Sequence, residues 1–254
     1  MRPILTRYTA TALACTSSIA FCMNNTTFDC QKSIPKTKIL NFSKNSNKDT
    51  LKNCCLLIPN QLNSFECAQL SNEADRIIDQ GNYQRDCYSV DTADELTGLR
   101  RISISDMSNE SQEISKTFIL NKILPILAKE HPTLLQALHL ENIHQKDDIQ
   151  FDWASDEPSV NRYVSGGTFE SHEDGYPLTV IVLLSNNFQG GGTIFWPEDS
   201  VEHLIEDGIL VQPPVGTAML FNGDITHAGA KVISGTRHLY VASFGIHDKE
   251  NVCI

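Results

Sequence analysis

The stretch Phe169-Glu170-Ser171-His172-Glu173-Asp174-Gly175 places a histidine and a carboxylate two positions apart. In an extended chain, the side chains of His172 and Asp174 point to the same side. A later stretch, Asp224-Ile225-Thr226-His227, supplies a second imidazole. Two histidines and one carboxylate on one face of an octahedron, with the other positions open, form a ligand set that suits Fe(II). We therefore take His172, Asp174 and His227 as candidate metal ligands and catalytic residues.

An H-x-D pair is a weak signal by itself. A chain with eight histidines and 31 acidic residues will contain such a pair by chance fairly often. A solvated strand end would have the same sequence. The interpretation therefore depends on the residues downstream of His227.

Arg237, ten positions after His227, begins an apolar run that is rich in strand-forming residues. On an extended strand, Arg237, Leu239 and Val241 share one face. A guanidinium among inward-facing apolar side chains needs an anion, because an unpaired buried charge is costly. Its planar fork suits a carboxylate. An internal Asp or Glu could provide this carboxylate, and so could a bound ligand.

The order of the motifs carries a family resemblance. They are H-x-D, then Asn187–Gly192 (NFQGGG), Gly216–Phe221 (GTAMLF), T-H-x-G at Thr226–Gly229 and S-G-T-R at Ser234–Arg237. Together they resemble the catalytic domain of 2-oxoglutarate- and Fe(II)-dependent dioxygenases, and most closely the prolyl 4-hydroxylase and procollagen lysyl hydroxylase group. The resemblance covers roughly residues 150–248, with a weaker match upstream to about residue 54.

The resemblance implies a mechanism and a set of cofactors. His172, Asp174 and His227 would hold Fe(II), and Arg237 would bind the far carboxylate of 2-oxoglutarate. Tyr163 matches a family tyrosine that lines the 2-oxoglutarate pocket. O2 would be the second cosubstrate and ascorbate a reductant. Oxidative decarboxylation would release succinate and CO2 while a C–H bond is hydroxylated, most often on a prolyl or lysyl residue of a protein or peptide.

Two positions leave the substrate open. Many prolyl hydroxylases carry a 2-oxoglutarate-binding tyrosine on the strand after the H-x-D motif, and here the corresponding residue is Leu183. Lysyl hydroxylases also lack it, and Thr179 matches a threonine of their motif. Prolyl, lysyl and small-molecule hydroxylation all stay possible. A non-catalytic, cupin-like jelly roll is a competing class, although it would need no buried arginine beside a complete metal triad.

Several short strands separated by turn residues predict a mainly β fold. They include residues 55–59, 101–105, 148–153, 159–164, 178–184, 193–196, 209–212, 217–221, 230–233 and 238–244. Such a set predicts a double-stranded β-helix, the jelly-roll barrel. Apolar residues at helical spacing predict supporting helices over residues 63–81 and 115–129. We expect the dioxygenase domain to span residues 54–254, with its core at about 150–248, and the part before residue 150 to be scaffold.

The first 53 residues differ in composition from the rest. Residues 1–23 start with positive charge and continue with a short apolar stretch, which is typical of a secretory signal. Hydroxyl residues interrupt that stretch, so an organellar transit peptide or a plain tail in a cytoplasmic protein is an alternative. Residues 24–53 are polar and predict a linker. An export signal would place the protein in the secretory pathway, in the ER lumen.

Net charge and cysteine spacing exclude other classes. A formal net charge of −11 argues against a nucleic-acid partner, which needs a basic footprint. No apolar run approaches the roughly 18–20 residues of a membrane span, so contact with a membrane is expected only through the leader. The eight cysteines show no zinc-like C-x-x-C spacing. We expect them to be mainly free, buried thiols.

Overall fold

Extended segments dominate the computed structural model, which describes residues 37–42, 54–82, 99–132, 149–196 and 208–248. In chain order the strands are β1 (Lys38–Asn41), β2 (Cys54–Ile58), β3 (Leu99–Ser103), β4 (Ile149–Trp153), β5 (Ser159–Tyr163), β6 (Phe169–His172), β7 (Leu178–Leu183), β8 (Phe188–Gly190), β9 (Thr193–Phe195), β10 (Ile209–Val211), β11 (Ala218–Phe221), β12 (His227–Gly229), β13 (Val232–Gly235) and β14 (Arg237–Asp248). The helical segments are α1 (Ser64–Asp79), a 3-10 turn (Ile104–Asp106), α2 (Asn109–Thr117), a π-helical segment (Phe118–Ile123) and α3 (Leu124–Glu130).

Most strands belong to one antiparallel major sheet with the order β1-β2-β11-β7-β14-β5-β3, in which β4 also pairs with β14. A minor sheet has the order β10-β9-β12-β6, and β13 pairs with β8. Strand β14 is the centre of the major sheet, because it pairs with β7 along one edge and with β5 and then β4 along the other. The predicted mainly β architecture is confirmed.

The two faces of the major sheet have different coverings. On β7, Val180 and Val182 face the helices, whereas Ile181 and Leu183 face the interior between the sheets. On β14, Leu239 and Val241 face that interior, as predicted. All six residues of β7 are buried, which explains why its sequence is a continuous apolar run instead of an alternating one.

Helix α1 begins where its sequence predicts. The Asn63 side chain accepts hydrogen bonds from the Phe65 and Glu66 backbone N–H groups, and the Glu66 carboxylate accepts one from the Asn63 N–H. This capping box satisfies backbone donors that the first turn leaves free. Burial of Leu70, Ala74 and Ile78 then fixes the apolar face of α1 against the sheet.

The second helical region begins earlier than predicted and is not uniform. Ser108 caps α2, so the helix starts at Asn109 and not at Ser115. Pro125 has no backbone N–H and its ring crowds the preceding turn, which destabilises regular α-helix there. The chain responds with the π-helical segment, in which the Leu124 N–H donates to Ile119 O. The helix thus continues past Pro125 with a local change of pitch.

Part of the predicted linker belongs to the sheet. Within residues 24–53, which the sequence predicts to be a linker, Lys38–Asn41 forms β1 and pairs with β2. Ile39 and Leu40 are the apolar residues that make this possible, and Phe42 stacks on Phe195 with ring centroids 4.8 Å apart. The predicted leader (residues 1–23) and the rest of the linker lie outside the described residues.

The described cysteines, Cys54, Cys55 and Cys67, are free and buried, as expected. The other five lie outside the described residues. In the part of the chain that the structure describes, no helix combines the length and the apolar character needed to cross a membrane.

Candidate active site

The structure brings the three predicted ligands together. His172 ends β6, Asp174 lies in the next loop, and His227 starts β12 directly opposite His172 in the pairing of these strands. Asp174 Oδ1 is 3.4 Å from His172 Nε2, and Asp174 Oδ2 is 3.6 Å from His227 Nε2. One ligand atom from each residue falls within 4.8 Å of the others. A single ion can therefore contact all three side chains.

Backbone carbonyls orient both imidazole rings. His172 Nδ1 is 2.9 Å from Glu170 O, and His227 Nδ1 is 3.0 Å from Ile225 O. Since a carbonyl accepts, each Nδ1 carries the proton and each Nε2 presents its lone pair to the centre of the triad. Such outer hydrogen bonds fix the tautomer and the orientation of metal-ligating histidines.

Asp174 is held from its backbone and from its side chain. Its N–H donates to Gly223 O at 2.8 Å, and a Cβ on Gly223 would lie 3.2 Å from Asp174 Cβ and 2.4 Å from Tyr176 O. The Thr179 hydroxyl donates to Asp174 Oδ2 at 2.5 Å and is 3.2 Å from Ser243 Oγ. Thr179 thereby fixes one carboxylate oxygen of Asp174, which is the role of this motif threonine in the structure.

Burial and neighbouring charge shift the pKa values in the triad. Burial alone would raise the pKa of Asp174, but the neighbouring His172 and His227 side chains and the Thr179 hydroxyl bring it below its ordinary value. The pKa of His172 rises because Asp174 outweighs burial, whereas burial lowers the pKa of the more enclosed His227. Metal binding requires an ionised Asp174 and neutral His172 and His227. The shifts of Asp174 and His227 favour this state, whereas His172 would have to release its proton to a bound cation.

Arg237 lies on the interior face of β14, as predicted, and is only 2% exposed. Its Nη2 donates a long hydrogen bond to Thr193 Oγ1 at 3.5 Å, and its Nε is buried without a hydrogen-bond partner. Among the described residues it has no acidic partner within 4.0 Å. Burial lowers its pKa to about 10, so the guanidinium stays charged at neutral pH. The internal Asp or Glu that could have explained this arginine is not found in the described structure.

The triple glycine and Tyr163 shape the surroundings of Arg237. Gly191 has a φ of +68°, and a Cβ there would lie 3.0 Å from Arg237 Cδ and 2.9 Å from the Phe188 ring. Glycine thus allows both the turn and the close approach of the arginine stem. Tyr163 pairs with Arg237 across β5 and β14, and its ring centroid is 5.7 Å from the guanidinium carbon. Tyr163 lines the same space as the triad.

The wall of the site includes residues that the sequence did not indicate. Arg101 of β3, Glu157 and Asn161 of β5 line the space beside the triad. Arg101 Nε donates to Asn161 Oδ1 at 3.2 Å, and Glu157 accepts a hydrogen bond from the Ser243 N–H. Part of Glu157 reaches the surface, but its enclosed carboxyl has a pKa raised to about 7 by burial. Arg101 comes from a segment expected to be scaffold.

Comparison with known proteins extends these observations. No protein-family model and no curated protein sequence matches the chain. Among solved structures, a prolyl hydroxylase from Trichoplax adhaerens in complex with a hypoxia inducible factor oxygen degradation domain peptide fragment matches with a TM-score of 0.54 at 13% identity, over 80% of this chain and 86% of that one. A Pseudomonas putida prolyl-4-hydroxylase matches with a TM-score of 0.52 at 15% identity, over 75% and 91%. The fold is that of the prolyl hydroxylases.

The prolyl hydroxylase fold confirms the resemblance drawn from the ordered motifs and the predicted double-stranded β-helix. At identities of 13% and 15% the likeness concerns the fold. Activity depends on the residues of the site, because one fold hosts many functions.

Proposed function

We propose that this chain is an Fe(II)- and 2-oxoglutarate-dependent dioxygenase that hydroxylates a C–H bond of a prolyl or lysyl residue in a protein or peptide. The observation that carries the proposal is the pairing of two features in one interior. A triad of His172, Asp174 and His227 presents its ligand atoms to one point, and the buried Arg237 nearby has no acidic partner among the described residues.

The donor set fits Fe(II). Two imidazole nitrogens and one carboxylate oxygen occupy one side of the site, and such a facial set leaves positions open for other ligands. Iron at this site would supply the oxidising chemistry, which protein side chains cannot provide. The chain contributes orientation. His172 and His227 are locked by their carbonyl partners and Asp174 by Thr179, so the ligand atoms are preorganised before any metal arrives.

Arg237 fits the distal carboxylate of 2-oxoglutarate. A guanidinium that burial deprives of water needs an anion, and a bidentate carboxylate satisfies its fork. Thr193 lies beside it and can add a hydroxyl donor once the carboxylate binds. A cupin-like binding protein with only a metal would gain nothing from this arginine. The unpaired Arg237 therefore favours the dioxygenase over that alternative.

Two observations support a protein or peptide substrate. The Trichoplax and Pseudomonas proteins are both named as prolyl hydroxylases, and the Trichoplax protein is in complex with a peptide. The exposed edge of His172, whose side chain is 33% accessible, gives a bound chain access to the triad from outside. Thr179 and Leu183 match lysyl hydroxylases, so we include a lysyl substrate beside a prolyl one. Ascorbate is the reductant that we propose to add to assays.

The test is succinate formation by the purified chain after anaerobic loading with Fe(II). The protein is mixed with 2-oxoglutarate, O2, ascorbate and either proline-containing or lysine-containing peptides. We expect succinate in step with addition of one oxygen atom to the peptide, which mass spectrometry detects. His172→Ala should abolish both signals. His131→Ala, which alters a histidine at the end of α3, is the matched control and should leave both unchanged.

Different outcomes separate the alternatives. Succinate that is stimulated by small molecules and never by peptides would point to a small-molecule hydroxylase. A protein that forms no succinate and gives no 2-oxoglutarate-dependent absorption band with Fe(II) is not an enzyme of this kind.

A further inference from the structure

A second cavity has Arg237 in its wall. It has a volume of about 350 Å³, within the range of small-molecule pockets, whereas the space beside the triad measures only about 50 Å³. Arg237 and Leu239 line both spaces. Arg237 therefore belongs to the walls of both a small space at the metal ligands and a larger one.

The walls of this second cavity are apolar except at its mouth. Leu183, Met219, Leu239 and Val215 line it, and exposed residues at the edge open it to the surface. Those edge residues are Asn186, Gln212 and Pro214. Arg237 is the one charged residue among those described as lining the cavity. Such a surrounding suits an aliphatic chain that ends in a carboxylate.

Few polar contacts hold the guanidinium of Arg237, although the Tyr163 ring lies 5.7 Å from its carbon atom. The contact of Arg237 with Thr193 is long at 3.5 Å, its Nε has no hydrogen-bond partner, and the side chain adjoins the larger cavity. Arginine has several rotatable bonds, so the guanidinium can retreat into the larger cavity while staying charged and enclosed. A retreat lengthens the distance between the triad and the cation.

Leu183 determines how much space is available for this movement. It lies on β7 directly opposite Leu239 of β14, which shares the interior face with Arg237. A leucine here leaves the cavity open. A tyrosine at the same position would extend a ring into it and place a hydroxyl near the arginine.

We propose that the site accepts linear 2-oxo diacids longer than 2-oxoglutarate, 2-oxoadipate first among them, and that Leu183 sets this length tolerance. This inference rests on the proposed function, because it assumes that the 2-oxo acid end binds at the triad. The added methylene lies against the apolar wall, and Arg237 moves with the distal carboxylate.

The experiment compares the affinities of 2-oxoglutarate and 2-oxoadipate for the anaerobic Fe(II) protein, by the absorption band and by calorimetry. Burying one further methylene is worth about fourfold in affinity. We expect 2-oxoadipate to bind the wild type between about fourfold more tightly and about threefold more weakly than 2-oxoglutarate. In Leu183→Tyr, overpacking should weaken 2-oxoadipate by at least about fivefold while 2-oxoglutarate changes little.

Leu183→Met is the matched control, since it keeps the volume and should keep the wild-type ratio. The proposal is overturned if the wild type binds 2-oxoadipate more than about tenfold more weakly than 2-oxoglutarate. It is also overturned if Leu183→Met and Leu183→Tyr weaken 2-oxoadipate binding equally. The ratio of 2-oxoadipate to 2-oxoglutarate affinity in the wild type tests the proposal even if Leu183→Tyr does not fold. Binding of 2-oxoglutarate without 2-oxoadipate leaves the proposed function standing. Absence of binding by either acid overturns both.

Discussion

Arg162 and Arg237 lie on neighbouring strands and face opposite sides of the major sheet. Arg162 of β5 points outwards and its Nη1 contacts Asp75 Oδ1 at 3.0 Å and Asp79 Oδ1 at 2.8 Å, both on α1. His238, opposite Arg162 in the pairing with β14, shares Asp75 at 2.8 Å. Arg237 points inwards and has no such acid among the described residues.

The two arginines differ in whether the folded chain supplies a carboxylate partner. Helix α1 supplies two carboxylates to Nη1 of the outer arginine. The Nε atoms of Arg162 and Arg237 are both buried without a hydrogen-bond partner, so the difference between the two residues lies in the ion pairs. The inner arginine is more deeply buried and costs more to leave unpaired. We infer that a ligand from outside the folded chain provides its partner. Substitutions on the two faces should therefore have opposite consequences.

The largest effect is expected from the triad on the inner side. His227→Ala should lower turnover by more than about a hundredfold, because even the loss of groups that only orient metal ligands costs about 10–100-fold. Loss of tight Fe(II) binding should accompany the loss of turnover. Succinate release and metal content after desalting measure the two effects. A His227→Ala protein that retains near wild-type turnover would remove this residue from the ligand set.

Arg237→Ala should weaken 2-oxoglutarate binding by roughly tenfold to several hundredfold, with little change in Fe(II) affinity. The free energy of unfolding should stay the same or increase, because the substitution removes an uncompensated buried charge. Arg237→Lys should restore part of the affinity, since the charge remains and the fork does not. Titration of the anaerobic Fe(II) protein measures the binding, and chemical denaturation measures the stability.

The control for this substitution is Arg76→Ala, which removes an arginine that is 60% exposed on α1. It should leave 2-oxoglutarate affinity unchanged, and its exposed ion pair with Glu73 should cost no more than about 0.5 kcal/mol of unfolding free energy. Equal 2-oxoglutarate affinities in the wild type and in Arg237→Ala would show that the inner arginine has another purpose.

Glu73 of α1 is a buried charge whose hydrogen-bond partners lie inside the fold, in contrast to Arg237. Its carboxylate accepts hydrogen bonds from the Ser108 N–H, the Ser108 hydroxyl and the Ser111 hydroxyl at 2.6–2.8 Å. Glu73→Gln should lower the free energy of unfolding by about 1–3 kcal/mol at neutral pH, with 2-oxoglutarate affinity unchanged. Denaturation and ligand titration of the same samples test both parts.

This loss should depend on pH. Burial would raise the pKa of Glu73, but its hydroxyl and backbone donors lower it below the ordinary value. The carboxylate therefore contributes its full stabilisation above the unfolded-state pKa of about 4.3, and loses it as the pH falls through the folded-state value. The wild type and Glu73→Gln should approach each other in stability below about pH 4. A difference that widens in acid would contradict the assignment.

The smallest effect is expected from the outer arginine. Asp75 and Asp79 are 37% and 68% exposed, so solvent screens their ion pairs with Arg162. Arg162→Ala should cost about 1 kcal/mol of unfolding free energy and should not affect 2-oxoglutarate binding. High salt should reduce the difference. A loss of cosubstrate affinity as large as that of Arg237→Ala would end the distinction between the two faces.

Local patterns in the sequence predicted much of this arrangement. The apolar run of β7, the capping box of α1 and the inward face of Arg237 can each be deduced from neighbouring residues, and the structure agrees with all three. The ligand triad required more, because His227 lies on a different strand from His172. The ordered motifs supplied the connection that spacing alone could not.

Other features depend on contacts that no local pattern contains. Arg101 reaches the site wall only because β3 pairs with β5, which brings it opposite Asn161. The start of α2 at Asn109 was missed because its first turn is polar and lacks apolar periodicity. The cavity behind Arg237 depends on the volume of Leu183, which becomes meaningful only once β7 and β14 are paired.

Strand β14 also has a consequence for synthesis of the protein. Its partners β4, β5 and β7 are all made well before it, and β5 and β7 lie on either side of the place that it occupies. Until the ribosome has released residues 237–248, these two strands have unpaired edges, which are prone to pair with other chains. Nascent chains should therefore depend on chaperones up to that point. Arg237, the interior cation, is synthesised in the same segment that completes the major sheet.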